Sequence, residues 1–321
     1  MGVIFKRLAD GSQGARKRAL LGVGSFLLPL LAWCLVSYVP FIWHSKVLIT
    51  DPGGVDYFQV GMRVGRSMFT QEVAHMEKEH LAPPAGKPAN PIYLPAPGAV
   101  AHAFYKDFVH PPQYTDTPSL PASLWHSIKI VFWGFLISSL IGVPLGILSG
   151  TYGAVGRLNE PFIEFFRYLP APAFGALAVA ILGIYDGPKI AIIVIGTLFQ
   201  QVLIIANTTR KLEATLVEAA RTLGTKHLRL LTRVVVPGIL PDLYRDQRIL
   251  LGWAWTYLIV AELIGTSSGI TWYITQQARY QHFENVYAGI MVIGIIGFGT
   301  DLVLARLSRR LFPWDRTLDR R

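Results

Sequence analysis

Six apolar runs, each about as long as a bilayer is thick, constrain this chain more than any other feature. They cover residues 20–43, 124–150, 162–184, 188–206, 248–266 and 285–305. A helix needs about 20 residues to cross the hydrocarbon layer. In lipid the backbone must satisfy its own hydrogen bonds, which leaves helices or closed barrels. Runs of this length predict an all-α membrane protein with six transmembrane helices. The first run ends in Tyr38, Pro40 and Trp43, an aromatic interface, and is too long for the core of a cleaved signal peptide. Gly142, Pro144 and Gly146 in the second run, and Pro170 and Pro172 in the third, predict close helix contacts that shelter freed backbone groups.

The runs are separated by charged stretches, and these set the expected direction of insertion. The chain carries a formal net charge of +10. Its basic residues flank apolar runs, as Arg16, Lys17 and Arg18 do before the first and Arg306, Arg309 and Arg310 after the last. Nucleic-acid readout needs them clustered on one soluble face, so no nucleic-acid partner is expected. With both termini inside, residues 1–19, 151–161, 207–248 and 306–321 hold 20 of the 30 Lys and Arg residues. That bias favours an N-in, C-in topology. A single cysteine, Cys34, excludes an intramolecular disulfide, and the eight histidines lack metal-ligand spacing.

The expected organisation is a basic cytoplasmic N-terminus (1–19), a first span (20–43), a periplasmic segment (44–123), a five-helix core (124–305) and a basic cytoplasmic C-terminus (306–321). Ten of the 21 prolines lie between Pro83 and Pro121, a density that favours extended or polyproline II backbone. Phe69, Val73 and Met76 recur at helical spacing and predict an amphipathic helix over 67–80.

The loop 207–247, between the fourth and fifth runs, is far longer than a connector requires. Leu212, Leu216, Ala219, Ala220 and Leu223 recur at three- and four-residue steps, and Gly224 is a helix stop. Leu228, Leu231 and Val235 mark a second short helix opposite Lys226, Arg229 and Arg233. Two short helices joined at a glycine make a docking knob on the cytoplasmic side. The alternative is an amphipathic helix that merely lies on the membrane.

Glu218-Ala219-Ala220, three residues, Gly224, nine residues, then Val234-x-Val236-Pro237 resembles the EAA loop of ABC importer permeases, E-A-A-x3-G-x9-I-x-L-P. Valines replace the isoleucine and leucine of that pattern. From Tyr93 to Trp314 the chain is similar to the permeases of nitrate, sulfonate, taurine and bicarbonate importers. The matching stretches are Leu94-Pro-Ala-Pro, Gly142-Val-Pro-Leu-Gly, Arg221-Thr-Leu-Gly, Ala261-Glu-Leu-Ile-Gly and Leu311-Phe-Pro-Trp. Residues 46–91 have no counterpart in the resemblance.

The resemblance implies that Glu218, Ala219, Ala220, Gly224 and Pro237 couple to separate ATPase subunits. It also implies a second permease copy, a periplasmic solute-binding protein, alternating access and a bacterial inner membrane. This chain has no G-x-x-x-x-G-K-[ST] phosphate loop, so ATP and Mg²⁺ are expected on the partner ATPase, with no cofactor here and no enzymatic activity of its own. Charges and amides inside spans usually face a bundle interior or a cavity. Gln200, Gln201, Trp253 and Glu262 are therefore candidates for the translocation path, against a structural role in hydrogen bonding or interface anchoring. Glu164 and Arg167 are expected to form a local ion pair, and Asp301 to pair with a basic neighbour. The competing function is a secondary transporter driven by an ion gradient, which leaves the EAA spacing unexplained. A membrane-anchored enzyme working through 44–123 lacks any catalytic set there.

Overall fold

The computed structural model describes residues 15–39, 46–90, 92–109, 118–264 and 268–315. The basic residues before Ala15, the interface residues Pro40 and Trp43, Gly265 of the A-E-L-x-G stretch and the tail after Asp315 lie outside the described residues. The chain forms two compact units, one from residues up to Lys106 with Gln277–Ala288, the other from Asp107–Gln276 with Gly289 onward.

The first unit holds helix α1 (Ala15–Tyr38), strands β1 (Lys46–Asp51) and β2 (Arg63–Gly65), helix α2 (Arg66–Lys78), strand β3 (Ala85–Ala89) and most of α3 (Pro97–Val109). The strands form an antiparallel sheet in the order β2-β1-β3, with Val47 opposite both Val64 and Pro88, so the chain is not all-α as expected: the strands lie outside the apolar runs from which that class was read. Val47, Ile49, Val55, Phe58, Val64 and Met76 close a small core, with Phe69 packed on it. The helical spacing of Phe69 and Met76 thus reflects real packing of α2. Part of the proline-rich stretch departs from the extended backbone expected of it, because α3 is helical. Its proline stands at the first helical position, where no intrahelical N–H is lost. The end of α1 is tied to this stretch: Asn90 Nδ2 donates to the Ser37 carbonyl at 3.0 Å, and the Gly98 N–H donates to Tyr38 Oη at 2.8 Å.

The second unit is built on α4 (Leu120–Thr151) and α7 (Asp186–Arg210), with α5 (Gly153–Phe166) and α6 (Gly175–Leu182) between them. Ser119 caps α4, accepting from the Ala122 N–H at 3.4 Å. The glycines of α4 fall on one stripe, and each meets α7. A Cβ on Gly134 would touch Ile193 at 2.7 Å, one on Gly142 Gln201 at 2.8 Å, one on Gly146 Ile205 at 2.8 Å, and one on Gly150 Thr209 at 2.5 Å. Partner positions advance in step along both helices, so α4 and α7 run parallel. Small residues are what let two backbones approach this closely.

Parallel neighbours require the chain between them to return. The return is made by α5 and α6, which are not the single helix over 162–184 expected from apolarity. A 3₁₀ turn at Ala171–Phe174 separates them, and the axes of Gly153–Phe166 and Ala171–Leu182 bend by 83°. Pro170 and Pro172 explain the break, since neither can donate the backbone hydrogen bond that a continuous helix needs there. Beyond α7 come α8 (Ala214–Thr222), the short α9 (His227–Leu230), α10 (Val236–Ile264), α11 (Ile270–Arg279) and α12 (Phe283–Leu311).

Among the described residues four helices are long and apolar enough to cross a membrane: α1, α4, α7 and α12, or five if α5 and α6 make one bent span. The helix containing the fifth expected run, α10, is not one of them. It carries Asp242, Arg245, Asp246 and Arg248 in its first half, then Trp253, Trp255, Tyr257 and Glu262. It pairs antiparallel with α7, as Thr208 meets Asp246 and Gly196 meets Tyr257. One end of the unit therefore gathers the end of α4, the start of α5, the end of α7, the start of α10 and the end of α12.

Candidate functional site

At that end α8 stands on the base of α10. Val217 and Ala220 face inward against a cluster of Ile147, Ile205, Leu230, Val235, Ile239 and Leu243, and Leu212 closes its edge. A Cβ on Gly238 would meet Leu212 Cδ1 at 2.8 Å, so the loop sits directly on the first turn of α10. Glu218 and Ala219 are exposed on the other face of α8, with Leu216. Leu223 is 86% exposed and Leu228 68%. The apolar stripe visible in the sequence is thus divided. Ala220 packs inside while Ala219 points out, so the paired alanines do different things.

Helix α8 ends in a Schellman turn. The Thr225 N–H donates to the Ala220 carbonyl at 3.0 Å and the Gly224 N–H to the Arg221 carbonyl at 2.9 Å. Gly224 has φ +82°, with open space around the position of a Cβ. The left-handed backbone, and no neighbour that a side chain would strike, is what requires a glycine here. After α9 the chain widens into a π-helical turn, Leu231–Val235, and enters α10 at Val236-Pro237. The proline ring would press on the carbonyl four residues back in a regular helix, and the wider turn gives it room. The second apolar face is Leu230, Leu231, Val234 and Val235, whereas Leu228, expected on it, points outward.

The interior polar residues form two groups. Gln201 is fully buried and joins three helices. It accepts from Ser138 Oγ at 2.7 Å and donates to Ser139 Oγ at 2.9 Å and to Gln247 Oε1 at 2.7 Å. Near it Thr208 Oγ1 donates to Asp246 Oδ2 at 2.5 Å. Asp246 lies before the apolar part of α10, and burial holds its carboxyl above the usual carboxylate range, partly opposed by the Thr208 bond.

The second group lies at the far end. Glu262 is buried, accepting from Ser127 Oγ and from the Thr271 N–H at 2.8 Å. Lys189, completely buried, donates to Ser268 Oγ at 2.6 Å and lies 3.5 Å from Asp186. His126 Nε2 is 2.9 Å from Asp186 Oδ1. Of the four residues expected on a path, Gln201 and Glu262 are engaged inside this chain, Gln200 is half-buried and Trp253 is 41% exposed. Lys189 and Gln247 escaped sequence reading, because a polar residue at the edge of an apolar run does not announce its partner. Asp301 does pair with a basic neighbour, Arg248, at 2.8 Å. Glu164 and Arg167 depart from expectation: Arg167 instead donates to Tyr168 Oη at 3.0 Å and lies over that ring.

Residues 142–313, which run from Gly142 in α4 past the end of α12, match the family described as binding-protein-dependent transport system inner membrane component. The chain belongs to that family. A protein of Brucella melitensis named a probable ABC transporter permease protein is 33% identical over 195 residues, covering 61% of this chain and 79% of that one. The taurine transport system permease protein of Escherichia coli is 30% identical over 229 residues, covering 70% and 81%. A structure described as an inward-facing conformation of the MetNI methionine ABC transporter superposes with a TM-score of 0.54 at 19% identity, covering 60% of this chain and 95% of that one. That likeness is one of fold. As a family member the chain is a transport permease with membrane-spanning helices, and the sheet-bearing segment at 46–89 precedes the matched region.

Proposed function

We propose that this chain is the membrane-spanning subunit of an ATP-driven importer for a small polar solute of the nitrate, sulfonate, taurine and bicarbonate class, and that the surface of α8 seats a separate ATPase. The observation that carries the reading is the outward ridge of Leu216, Glu218, Ala219 and Leu223, held on the base of α10 by Val217 and Ala220 and ended by Gly224. A ridge this exposed and this firmly backed can take up force and pass it to the helix it stands on. ATP hydrolysis is assigned to the partner, since this chain has no phosphate loop.

In the same reading six spans cross a bacterial inner membrane with both termini inside, α5 and α6 together making one and α10 another. The basic stretches 151–161, 207–248 and 306–315 adjoin the end of the second unit that bears α8, which favours that end as cytoplasmic. Two copies of the chain line the path, and a periplasmic binding protein delivers the solute. Closure of the ATPase pair drives α8, and alternating access follows. Gln200 and Trp253 remain the path candidates, since Gln201 and Glu262 spend their hydrogen bonds within the chain.

Co-purification with an ATPase and ATP-dependent uptake into vesicles test the reading. Glu218→Lys and Gly224→Trp are expected to release the ATPase while leaving insertion intact. Uptake that continues without any ATPase, driven by a proton or sodium gradient alone, would establish the secondary-transporter alternative.

A further inference from the structure

The base of α10 does more than carry α8. Tyr244 and Arg245 lie four and three positions before Arg248, so each neighbours it on the helix surface. All three reach the end of α12 or the turn that follows it. Arg248 is bidentate on Asp301, at 2.8 and 2.9 Å from Nη2, with Nε at 3.1 Å. Arg245 donates to Asp315 Oδ2 at 3.0 Å, and Tyr244 Oη to the Leu304 carbonyl at 3.1 Å. The Tyr244 ring meets Phe312 edge-on at 5.6 Å, and Phe312, only 5% exposed, meets Trp314 in turn. Long side chains make the connection between α10 and α12. On its other sides α10 is tied to α7 through Thr208 and Asp246, and to Gln201 through Gln247.

From this we infer that Arg248 and Asp301, supported by Arg245, Asp315 and Tyr244, are positioning residues that lock the end of α12 to α10, so that a push on α8 moves the two helices as one body. The inference rests on the ATPase-coupling reading of α8. A bidentate arginine–carboxylate pair has a defined orientation, which suits a rigid link better than a single point contact. Five hydrogen bonds and one ring contact resist rotation as well as separation. The Leu311-Phe-Pro-Trp stretch then acts as the foot of that link, with Phe312 buried and Asp315 paired.

The test uses the full chain with its ATPase in lipid nanodiscs, in a Cys34→Ser background that removes the single native cysteine. Spin labels at Ile249→Cys and Val303→Cys report the separation of α10 and α12, and labels at Phe132→Cys and Val303→Cys report α12 against α4. On trapping with ATP and vanadate, the first separation is expected to stay constant while the second changes. Arg248→Asp or Asp301→Arg is expected to abolish the joint movement, and the double reversal Arg248→Asp with Asp301→Arg to restore it. If a reversal fails to yield folded protein, Arg248→Gln and Asp301→Asn remove the pair more gently, with the same expectation. Independent movement of the helices in the parent, or single variants that move as the parent does, would overturn the inference. Failure of the parent to retain its ATPase would instead refute the coupling reading, and this inference with it.

Discussion

Helices α4 and α7 and helices α10 and α12 are joined by opposite means. The first pair meets backbone to backbone along a glycine stripe, with Gly134, Gly142, Gly146 and Gly150 against Ile193, Gln201, Ile205 and Thr209. The second pair is joined by Tyr244, Arg245 and Arg248 reaching across to Asp301, Leu304 and Asp315. Close packing has no slack, because dispersion falls away within an ångström or so of separation. Ion pairs and hydrogen bonds hold through the orientation of a few long side chains instead. The difference separates a scaffold fixed by packing from a link fixed by a few oriented bonds, and the two should respond differently to substitution.

The largest effect is expected at the glycine stripe. Gly146→Leu would drive a side chain into Ile205 at 2.8 Å and the Val202 carbonyl at 2.9 Å, both on a facing helix. Overpacking of this kind costs about 1–3 kcal/mol even where some adjustment is possible. The expected outcome is loss of the monodisperse species in detergent, read by size-exclusion chromatography. A well-folded Gly146→Leu protein would break the comparison at its root.

Next is Gln201→Leu, which strands the buried Ser138 and leaves Ser139 and Gln247 only the 3.3 Å bond between them. An unsatisfied buried polar group costs about 1–3 kcal/mol, so the unfolding midpoint in detergent should fall clearly. Loss of transport with an unchanged midpoint would instead assign Gln201 to the solute path. Gly224→Ala comes third. The site is open, so only the left-handed backbone at φ +82° opposes the methyl group, at about 1 kcal/mol. The fold should survive, with faster hydrogen exchange confined to α8 and its turn.

Arg248→Ala should barely move the midpoint, because Asp301 is half exposed and such pairs are worth about 1 kcal/mol or less. A large stability loss there would make the second pair a scaffold too. The smallest effect is expected at Asp246. Burial raises its folded carboxyl above the unfolded value, so the stabilising proton is held at low pH and lost as pH rises through the folded value. Asp246→Asn should therefore raise the midpoint slightly at neutral pH. The gain should vanish below the ordinary carboxylate range, where the parent carboxyl is protonated in both states.

Some of this was legible beforehand and some was not, and the boundary is physical. Helix α2 and the stop at Gly224 were readable because their signals lie within a few residues of one another. The break at Pro170 and Pro172 carried its own signal, yet the apolar run around it argued for one straight span. The glycines of α4 announced close packing without naming α7. Lys189 could not be read at all, since Ser268 lies far along the chain and Asp186, though near, gives no sign that the lysine is buried.

What the sequence determined alone are the properties that add up residue by residue along a short stretch. Apolar runs of bilayer length, the placing of positive charge and the order E-A-A, glycine and proline belong here, because transfer to lipid and local turns need no distant partner. The tertiary structure alone decided which face of α8 is free, that Gln201 and Glu262 are satisfied within the chain, and that Arg248 holds Asp301. Each of these joins residues that only the fold brings together, and a hydrogen bond or ion pair exists only at contact distance.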